Sequence, residues 1–443
     1  MYPRSTIAYA ACIGMALAPG AEAQGQSAES GYVSREEYES LKRDFESMQE
    51  KMQDMSKRPL NLSSQPGESP DGASWLELKR SQLRLDVIER QLQSNLPGDS
   101  NFHLAGFAFT RFMDTEGMDS SFTAKFVPII LWEINDRLFF ESELEFELES
   151  EHGHGSTEVE LEYAHGSYII NDYMTFGAGK FLTPFGVFAE RLHPQWINKL
   201  PNMPLAFAHD GLVPFSSVGV YLRGGFPVKD MKINYAFYLT NGPALNTEEE
   251  EEAGLLEFEN FNDINNNKAI GGRIGVLPIP ELEIGYSFLF SGVNATGDDV
   301  GPADALLQGI DVSYVRLVQQ ISGMIDLRFE YVHSDVDTVT FDPDGLDFGP
   351  LTYDNKRDGF YFQAAYRPTL SDIKFLRNFE FVGRYEELDV PSGAPDGQHD
   401  HERWTIGVNY YLAPNSMFKV AYQSTEVEGN STDAFMAMFV IGF

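Results

Sequence analysis

Alternating glutamates are the residues of this 443-residue chain whose type and spacing favour a chemical role most clearly. One row consists of Glu141, Glu143, Glu145, Glu147 and Glu149, and a second row consists of Glu158, Glu160 and Glu162. Residues two apart in a strand share one face about 6.7 Å from each other, inside a Debye length at physiological salt. Such a wall attracts cations or pairs with bases. Because no Lys or Arg occurs between Arg137 and Lys180, pairing bases must come from other parts of the chain. Both alternatives stay open.

A second group of candidates lies on and beside a long segment, residues 184–216, that contains no run of charges. This segment is rich in apolar side chains and prolines, and exposing so many apolar side chains to water is unfavourable. It is predicted to fold inward, against the inner wall of the structure that the following strands build, and to narrow its pore. An external cap over the rim is the alternative, because long functional loops do either. The candidates for the constriction are Lys180, Arg191, His193, Lys199 and Asp210.

The elements that must position these side chains are β-strands. From residue 101 to the end, large apolar residues recur at every second position, as in Trp404, Ile406 and Val408. Strands with one apolar face and one polar face suit a barrel that is lipid-facing outside and water-filled inside. We count about sixteen such segments, which begin near residues 101, 121, 137, 157, 172, 216, 231, 268, 281, 307, 322, 357, 376, 401, 415 and 432.

The connections between these segments alternate between short and long. Short ones include residues 135–136, 171–172, 228–230, 278–280 and 413–415, and long ones include 183–215, 243–267, 294–306 and 336–356. Short turns on one rim and long loops on the other are typical of outer-membrane barrels. The predicted fold is therefore an all-β transmembrane barrel of about sixteen antiparallel strands over residues 101–443. A soluble β-sandwich, the alternative, has shorter strands and more evenly spaced turns.

The barrel prediction fixes which side chains face lipid. The apolar residues between the glutamates must face outward, so Val159, Leu161 and Tyr163 are expected on the lipid side and the glutamates in the lumen. The last strand alternates to a terminal aromatic through Phe435, Ala437, Phe439, Ile441 and Phe443. A closing strand of this kind resembles the signal read by the bacterial barrel-insertion machinery, which makes that machinery an expected partner through Phe443.

The region before the barrel divides into four parts. Residues 1–23 have the charge, apolar run and small-residue cleavage site of a signal peptide. Residues 24–57 contain a heptad seam that predicts a short α-helical coiled coil, most simply with copies from sister subunits, although one amphipathic helix packed on its own domain is the alternative. Residues 58–73 are a proline- and glycine-rich linker, and residues 74–96 are a second predicted helix. No later stretch approaches the length of an apolar membrane helix.

Composition excludes several classes of protein. With 67 acids and 32 bases the net charge is -35, which excludes a general nucleic-acid binder. The one cysteine, Cys12, lies in the signal peptide, so the mature chain has no disulfide or thiol chemistry. The sequence lacks the common hydrolase and phosphate-loop motifs, so we predict no enzymatic activity, catalytic residue or cofactor. Three partial ligand sets, residues 151–154, 248–252 and 342–347, are more typical of solvated loops, and no metal site is assigned from sequence.

The alternating strands, the terminal Phe443 and the segment Gly179-Lys180-Phe181-Leu182-Thr183-Pro184-Phe185-Gly186 resemble the phosphate-selective porin (O and P type) superfamily. The preceding coiled coil resembles a related group of trimeric porins with an N-terminal helical extension. The resemblance implies a sixteen-stranded trimeric barrel and passive solute passage. Phosphate-selective members line the pore with basic residues, whereas this chain has an acidic wall, so phosphate selectivity is not carried over.

The sequence thus predicts a porin of the bacterial outer membrane, with its N-terminal helix in the periplasm. Small hydrophilic solutes or ions would diffuse through it, with a cation preference from the acidic wall. The alternatives are a structural protein that tethers the envelope through its coiled coil, an anion- or phosphate-selective porin, and a surface adhesin. The expected partners are outer-membrane lipid and lipopolysaccharide, sister subunits of a homotrimer, and the solutes.

Overall fold

The computed structural model describes residues 101–443, except residues 152–153, 248–251, 259–266, 294–301, 342–350 and 396. The predicted signal peptide, coiled coil, linker and second helix lie outside the described residues. So do most of the partial ligand sets at residues 151–154, 248–252 and 342–347, and the side chain of Glu149. These assignments remain predictions.

Sixteen strands of the described residues form one closed antiparallel barrel, as predicted. They are β1 (Asn101–Thr115), β2 (Ser121–Asn135), β3 (Leu138–Glu151), β4 (His154–Asn171), β5 (Met174–Leu182), β6 (Ser216–Val228), β7 (Met231–Asn241), β10 (Lys268–Ile279), β11 (Leu282–Gly292), β12 (Asp304–Val318), β13 (Gly323–Val336), β16 (Asn355–Arg367), β17 (Phe379–Asp389), β18 (His401–Ala413), β19 (Ser416–Val427) and β20 (Asn430–Gly442). Each begins within three residues of its predicted start.

Shorter elements lie in the connections. Two-residue strands form two small hairpins, β8 (Ala244–Leu245) with β9 (Leu256–Glu257) and β14 (Thr340–Phe341) with β15 (Leu351–Thr352). A π-helical turn spans Phe188–Leu192, and short 3-10 helices span Leu205–Phe207, Gln319–Ile321 and Leu376–Asn378. No helix of the described residues is long and apolar enough to cross a membrane.

The two rims of the barrel differ in their connections. The turn rim carries residues 136–137, 172–173, 229–230, 280–281, 319–322, 368–378 and 414–415, and it also holds both ends of the barrel. The loop rim carries the longer connections, including residues 183–215, 242–267, 293–303 and 337–354. Loops of this rim pack together, because the Tyr353 hydroxyl and the Asn355 side-chain amide donate to the carbonyls of Ala253 and Gly254.

Alternation along each strand separates an apolar outer face from a polar inner face. On β18, Trp404 is 57% exposed and Ile406 is 59% exposed, whereas Arg403 and Thr405 between them are buried inside the barrel. The pleat turns successive side chains to opposite faces, so one run of sequence builds both surfaces. Apolar side chains with this exposure are suited to lipid rather than to water.

The barrel closes between its first and last strands, where Gly106 allows a close approach. The terminal Phe443 donates its N–H to the Gly106 carbonyl at 2.9 Å, and the Gly106 N–H donates to the Phe443 carbonyl at 3.1 Å. Gly106 has φ of 144°, and a Cβ there would lie 2.2 Å from the Val127 carbonyl oxygen. The ring of Phe443 also stacks on Phe126 at 5.9 Å. Only glycine fits this junction without displacing β2.

We expect Gly106→Val to abolish most barrel closure, because a side chain must displace the β2 backbone and adopt an unfavourable φ. The measurement is the fraction of protein that migrates as a folded barrel on an unheated detergent gel. Gly383→Ala is the matched control, because a Cβ at Gly383 meets no atom within 4 Å. A Gly106→Val protein that folds as fully as Gly383→Ala would contradict this role for Gly106.

A β-bulge in β4 corrects one expectation. Glu143 pairs with Tyr163 and Leu144 pairs with Leu161, so Glu162 is an extra residue in its strand. A bulge can place two consecutive side chains on the same face. Glu162 and Tyr163 are both buried inside, at 1% and 6% exposure, so the prediction that Tyr163 faces lipid is wrong. Val159 and Leu161 are exposed as expected.

The inner face is less polar near the closing strands. Phe107 and Val127 form a buried cluster with Phe109, Met417, Met438 and Val440, and Trp196 of the connection 183–215 packs against this cluster. Part of the inner face is therefore a hydrophobic surface that receives a loop.

Candidate functional site

The connection 183–215, here called the inner loop, lies inside the barrel and reaches strands far from its own ends. The Val187 N–H donates to the Glu330 carboxylate on β13 at 2.7 Å. Lys419 on β19 donates to the carbonyls of Gln195 and Asn198, each at 2.5 Å. These contacts span 143 to 224 residues of sequence, so the loop crosses the lumen.

Apolar side chains explain why the inner loop folds inward. Phe185, Phe188, Leu200, Phe207 and Phe215 are each at most 4% exposed. The rings of Phe188 and Phe207 meet Tyr361 of β16 edge-on, at 6.4 and 5.5 Å. Full burial of one such side chain contributes roughly 1.5 to 3 kcal/mol, so together they favour the inward conformation strongly.

A buried charge cluster holds the middle of the inner loop. Glu386 of β17 accepts hydrogen bonds from Arg403 of β18 at 2.6 and 3.0 Å and from the Leu205 N–H at 3.0 Å. Arg384 Nε lies 3.2 Å from the same carboxylate. Both arginines also donate to the loop, Arg403 to the Met203 carbonyl and Arg384 to Asn202. The cluster joins the loop to the barrel wall.

Two of the predicted constriction residues face this side of the barrel. Lys199 Nζ lies 2.6 Å from Glu380 and 3.6 Å from Asp326. Arg191 donates to both oxygens of Glu283 at 2.9 and 3.1 Å. Arg191 is also 3.7 Å from Glu190. With the cluster of Glu386, Arg384 and Arg403 included, this wall carries nearly equal numbers of acids and bases.

The acidic rows of β3 and β4 form the opposite wall, and lysines of flanking strands pair with part of it. Lys125 of β2 lies 2.8 Å from both Glu145 and Glu147. Lys180 of β5 lies 3.9 Å from Glu160. The pairing bases thus come from neighbouring strands. Arg111 of β1 also interacts electrostatically with Glu147. Because the seven glutamates whose side chains are described outnumber these three bases, the wall stays predominantly acidic.

Two histidines of the inner loop approach the acidic wall. The His193 ring lies 3.5 Å from Glu143 and 2.5 Å from the Ala189 carbonyl. Burial lowers the pKa of His193, but the hydrogen bond and charge of Glu143 outweigh it and raise that pKa above its ordinary value. The His209 ring stacks on Phe215 at 3.9 Å. Burial lowers the pKa of His209 to about 4, so its imidazole is neutral at pH 7.

The five constriction candidates do not form one ring. Lys180 and His193 contact the acidic wall, Arg191 and Lys199 contact the opposite wall, and Asp210 is exposed on the inner loop. Within the acidic rows, Glu143 and Glu162 are the most buried, Glu158 is exposed, and Glu141 lies 3.9 Å from His165.

The site predicted from sequence left out most of the charged residues that contact the inner loop or pair with residues that do. They are Glu283, Asp311, Asp326, Glu330, Glu380 and Glu386 with Arg273, Arg384, Arg403 and Lys419. Each occupies an inward position of its strand, so extending the in-and-out alternation through every strand would have found them. The alternation does not reveal which pairs meet across the lumen.

A cavity of about 810 Å³ lies between the inner loop and the turn rim. Its lining includes Tyr163, His165, Tyr221, Arg223 and Arg273 of the barrel and Arg191 of the inner loop. Turn residues such as Asp172 and Pro280 also line it. The cavity therefore extends from the loop toward that rim.

No protein-family profile matches the chain, and no curated protein matches it. Among solved structures it is similar to the outer membrane channel DcaP of Acinetobacter baumannii, with a TM-score of 0.50 and 11% identity over 79% of this chain and 100% of that one. It is also similar to an anion-selective porin from Comamonas acidovorans, with a TM-score of 0.48 and 11% identity over 78% and 100%. At this identity the similarity to DcaP supports the barrel fold alone.

Proposed function

We propose that the protein is a passive channel of the bacterial outer membrane that admits small hydrophilic solutes or ions. The observation that carries the proposal is a closed sixteen-stranded barrel with an apolar exterior and a charged interior. A barrel of this size encloses an aqueous channel when its lumen is not filled. The similarity in fold to a solved outer membrane channel is consistent with this function.

We propose a cation preference for this channel. The support is the asymmetry of the lumen. One wall carries two acidic rows that outnumber Lys125, Lys180 and Arg111 beside them, and the other wall carries nearly balanced ion pairs. A channel wall with excess carboxylates concentrates cations and repels anions. The alternative of an anion- or phosphate-selective porin requires an excess of lumenal bases.

We further propose a homotrimer with the turn rim toward the periplasm. The heptad seam within residues 24–57 supports association with sister subunits, and the resemblance to trimeric porins suggests that there are three. Both ends of the barrel lie at the turn rim. Lipid and lipopolysaccharide would then surround the apolar outer face. The alternative, that the protein tethers the envelope, depends on the same heptad region. Deleting residues 34–95 distinguishes the two roles. Loss of trimers supports a role in assembly, and loss of envelope attachment supports tethering.

The proposed selectivity is tested by removing charge from the acidic wall. We expect the double variant Glu147→Gln and Glu158→Gln to lower the cation-to-anion permeability ratio by about twofold, because two lumenal carboxylates are lost. The ratio comes from the reversal potential of single channels in a potassium chloride gradient. Glu426→Gln, an exposed residue on the outer face of β19, is the control. An unchanged ratio in the double variant would contradict the acidic-wall explanation.

A further inference from the structure

We infer that Glu160, Glu162 and His209 form a binding site for a divalent transition-metal cation, with Zn²⁺ as its representative, inside the barrel. The two glutamates belong to β4 and the histidine belongs to the inner loop. One ligand atom from each residue lies within 4.8 Å of the other two. The site is therefore assembled only when the inner loop is folded into the barrel.

The distances suit a metal ion after small side-chain movements. Nε2 of His209 lies 4.0 Å from Oε2 of Glu162. Bonds of about 2.0 to 2.2 Å from zinc to nitrogen or oxygen place neighbouring ligand atoms about 3.3 to 3.6 Å apart in a tetrahedron. The separation of His209 and Glu162 exceeds this spacing by about 0.4 to 0.7 Å, so metal binding requires these ligand atoms to move closer together.

Glu162 supplies the independent argument for a bound ion. Its side chain is 1% exposed, and neither carboxylate oxygen has a hydrogen-bond partner among the described residues. The neighbouring Glu143 is also fully buried, and its Oε2 likewise has no hydrogen-bond partner among the described residues. An unsatisfied buried carboxylate costs several kcal/mol or more, so such groups are normally paired or coordinate a metal. A cation bound by Glu162 removes that cost.

The local backbone explains how Glu162 comes to face the site. Glu162 is the extra residue of the β4 bulge, and without the bulge the alternation would turn either Glu162 or Tyr163 to the outer face. Bulges often re-aim side chains at functional sites. On the side of the site formed by the inner loop, the His209 ring is held by stacking on Phe215.

The surrounding charges favour a divalent cation. The site and its neighbours include the carboxylates Glu143, Glu145, Glu160 and Glu162. Lys125 lies 2.8 Å from Glu145, Lys180 lies 3.9 Å from Glu160, and the His193 ring lies 3.5 Å from Glu143. With all four carboxylates ionised, as in a metal-bound site, and all three bases charged, the group keeps one excess negative charge.

The donor set indicates the class of metal. Magnesium and calcium prefer ligand shells made entirely of oxygen, whereas an imidazole nitrogen favours zinc and neighbouring transition metals. Two carboxylates and one imidazole leave a fourth position for water, which is the pattern of an open zinc site.

The test measures zinc binding to the full chain, purified in detergent and stripped with a chelator, by isothermal titration calorimetry with zinc chloride. We expect the double variant Glu162→Gln and His209→Gln to lose one zinc per chain, or to bind it at least about tenfold more weakly. Glu158→Gln, an exposed residue of the same row, should bind zinc as the parent does. All proteins carry His152→Ala and His154→Ala, so that the His-Gly-His segment does not contribute zinc binding.

Equal zinc stoichiometry and affinity in the double variant and in Glu158→Gln would overturn the proposal, and so would a parent that binds no zinc. His209→Gln alone gives the same comparison if the double variant does not fold, because His209 lies in a loop and is partly exposed. The measurement does not depend on conductance. If the protein binds zinc at this site but passes no current, the metal site is supported and the proposed channel function is contradicted.

Discussion

Replacing residues 188–212 of the inner loop with a short Gly-Ser linker is expected to raise single-channel conductance at least about twofold. The reason is steric, because this segment carries Phe188, Leu200 and Phe207 across the lumen to the opposite wall. Removing it clears the part of the lumen that the loop crosses. The barrel strands keep their hydrogen-bonded neighbours, so the closed barrel is expected to persist.

The measurement is conductance in planar bilayers, after an unheated gel has shown that the variant forms a folded barrel. The control replaces residues 397–399 of the loop-rim connection 390–400 with Gly-Ser, because their described contacts, with Arg357, Ala253 and Glu428, lie at the loop rim. Its conductance should stay near that of the parent. A folded loop variant with unchanged conductance would contradict the role of the inner loop as the constriction.

Glu386→Gln is expected to destabilise the folded chain by about 3 to 5 kcal/mol, which is the usual cost of breaking a buried ion pair from one side. The substitution keeps the shape of the side chain and removes its charge. Arg384 and Arg403 then remain buried beside each other without the carboxylate that joins them, and the Leu205 N–H loses a charged acceptor. The segment 202–205 should loosen from the wall.

The destabilisation is measured as a shift in the urea midpoint for unfolding in detergent or lipid vesicles. Glu387→Gln is the matched control, since Glu387 is the next residue and its described partner is the Tyr385 hydroxyl on the outer face. It should shift the midpoint little. Equal shifts in the two variants would show that the buried cluster does not anchor the loop.

Much of the fold can be predicted from sequence because a barrel strand repeats a simple rule. Trp404 and Ile406 face outward and Arg403 and Thr405 face inward, and the same alternation locates all sixteen strands. Long and short connections then set the two rims. The rule needs no knowledge of distant contacts, so it holds along the whole chain.

The rule fails where the pairing of neighbouring strands changes register. One extra residue at Glu162 brings Tyr163 inward, and residue types alone do not mark the bulge. The partners of the inner loop were also missed, because Lys199 meets Glu380 only after the loop has crossed the lumen. Contacts over such sequence distances depend on the path of the loop. The metal site proposed at Glu160, Glu162 and His209 depends on both the bulge in β4 and the path of the inner loop.

The measurement that tests the proposed cation-preferring channel most directly is the reversal potential of the purified, unmodified protein in a planar bilayer with a potassium chloride gradient. We expect discrete conductance steps and a reversal potential with the sign of cation selectivity, because the glutamates of the acidic wall outnumber the bases beside them. A reversal potential of the opposite sign would contradict the acidic-wall selectivity. The absence of conductance from a folded barrel would contradict the channel itself.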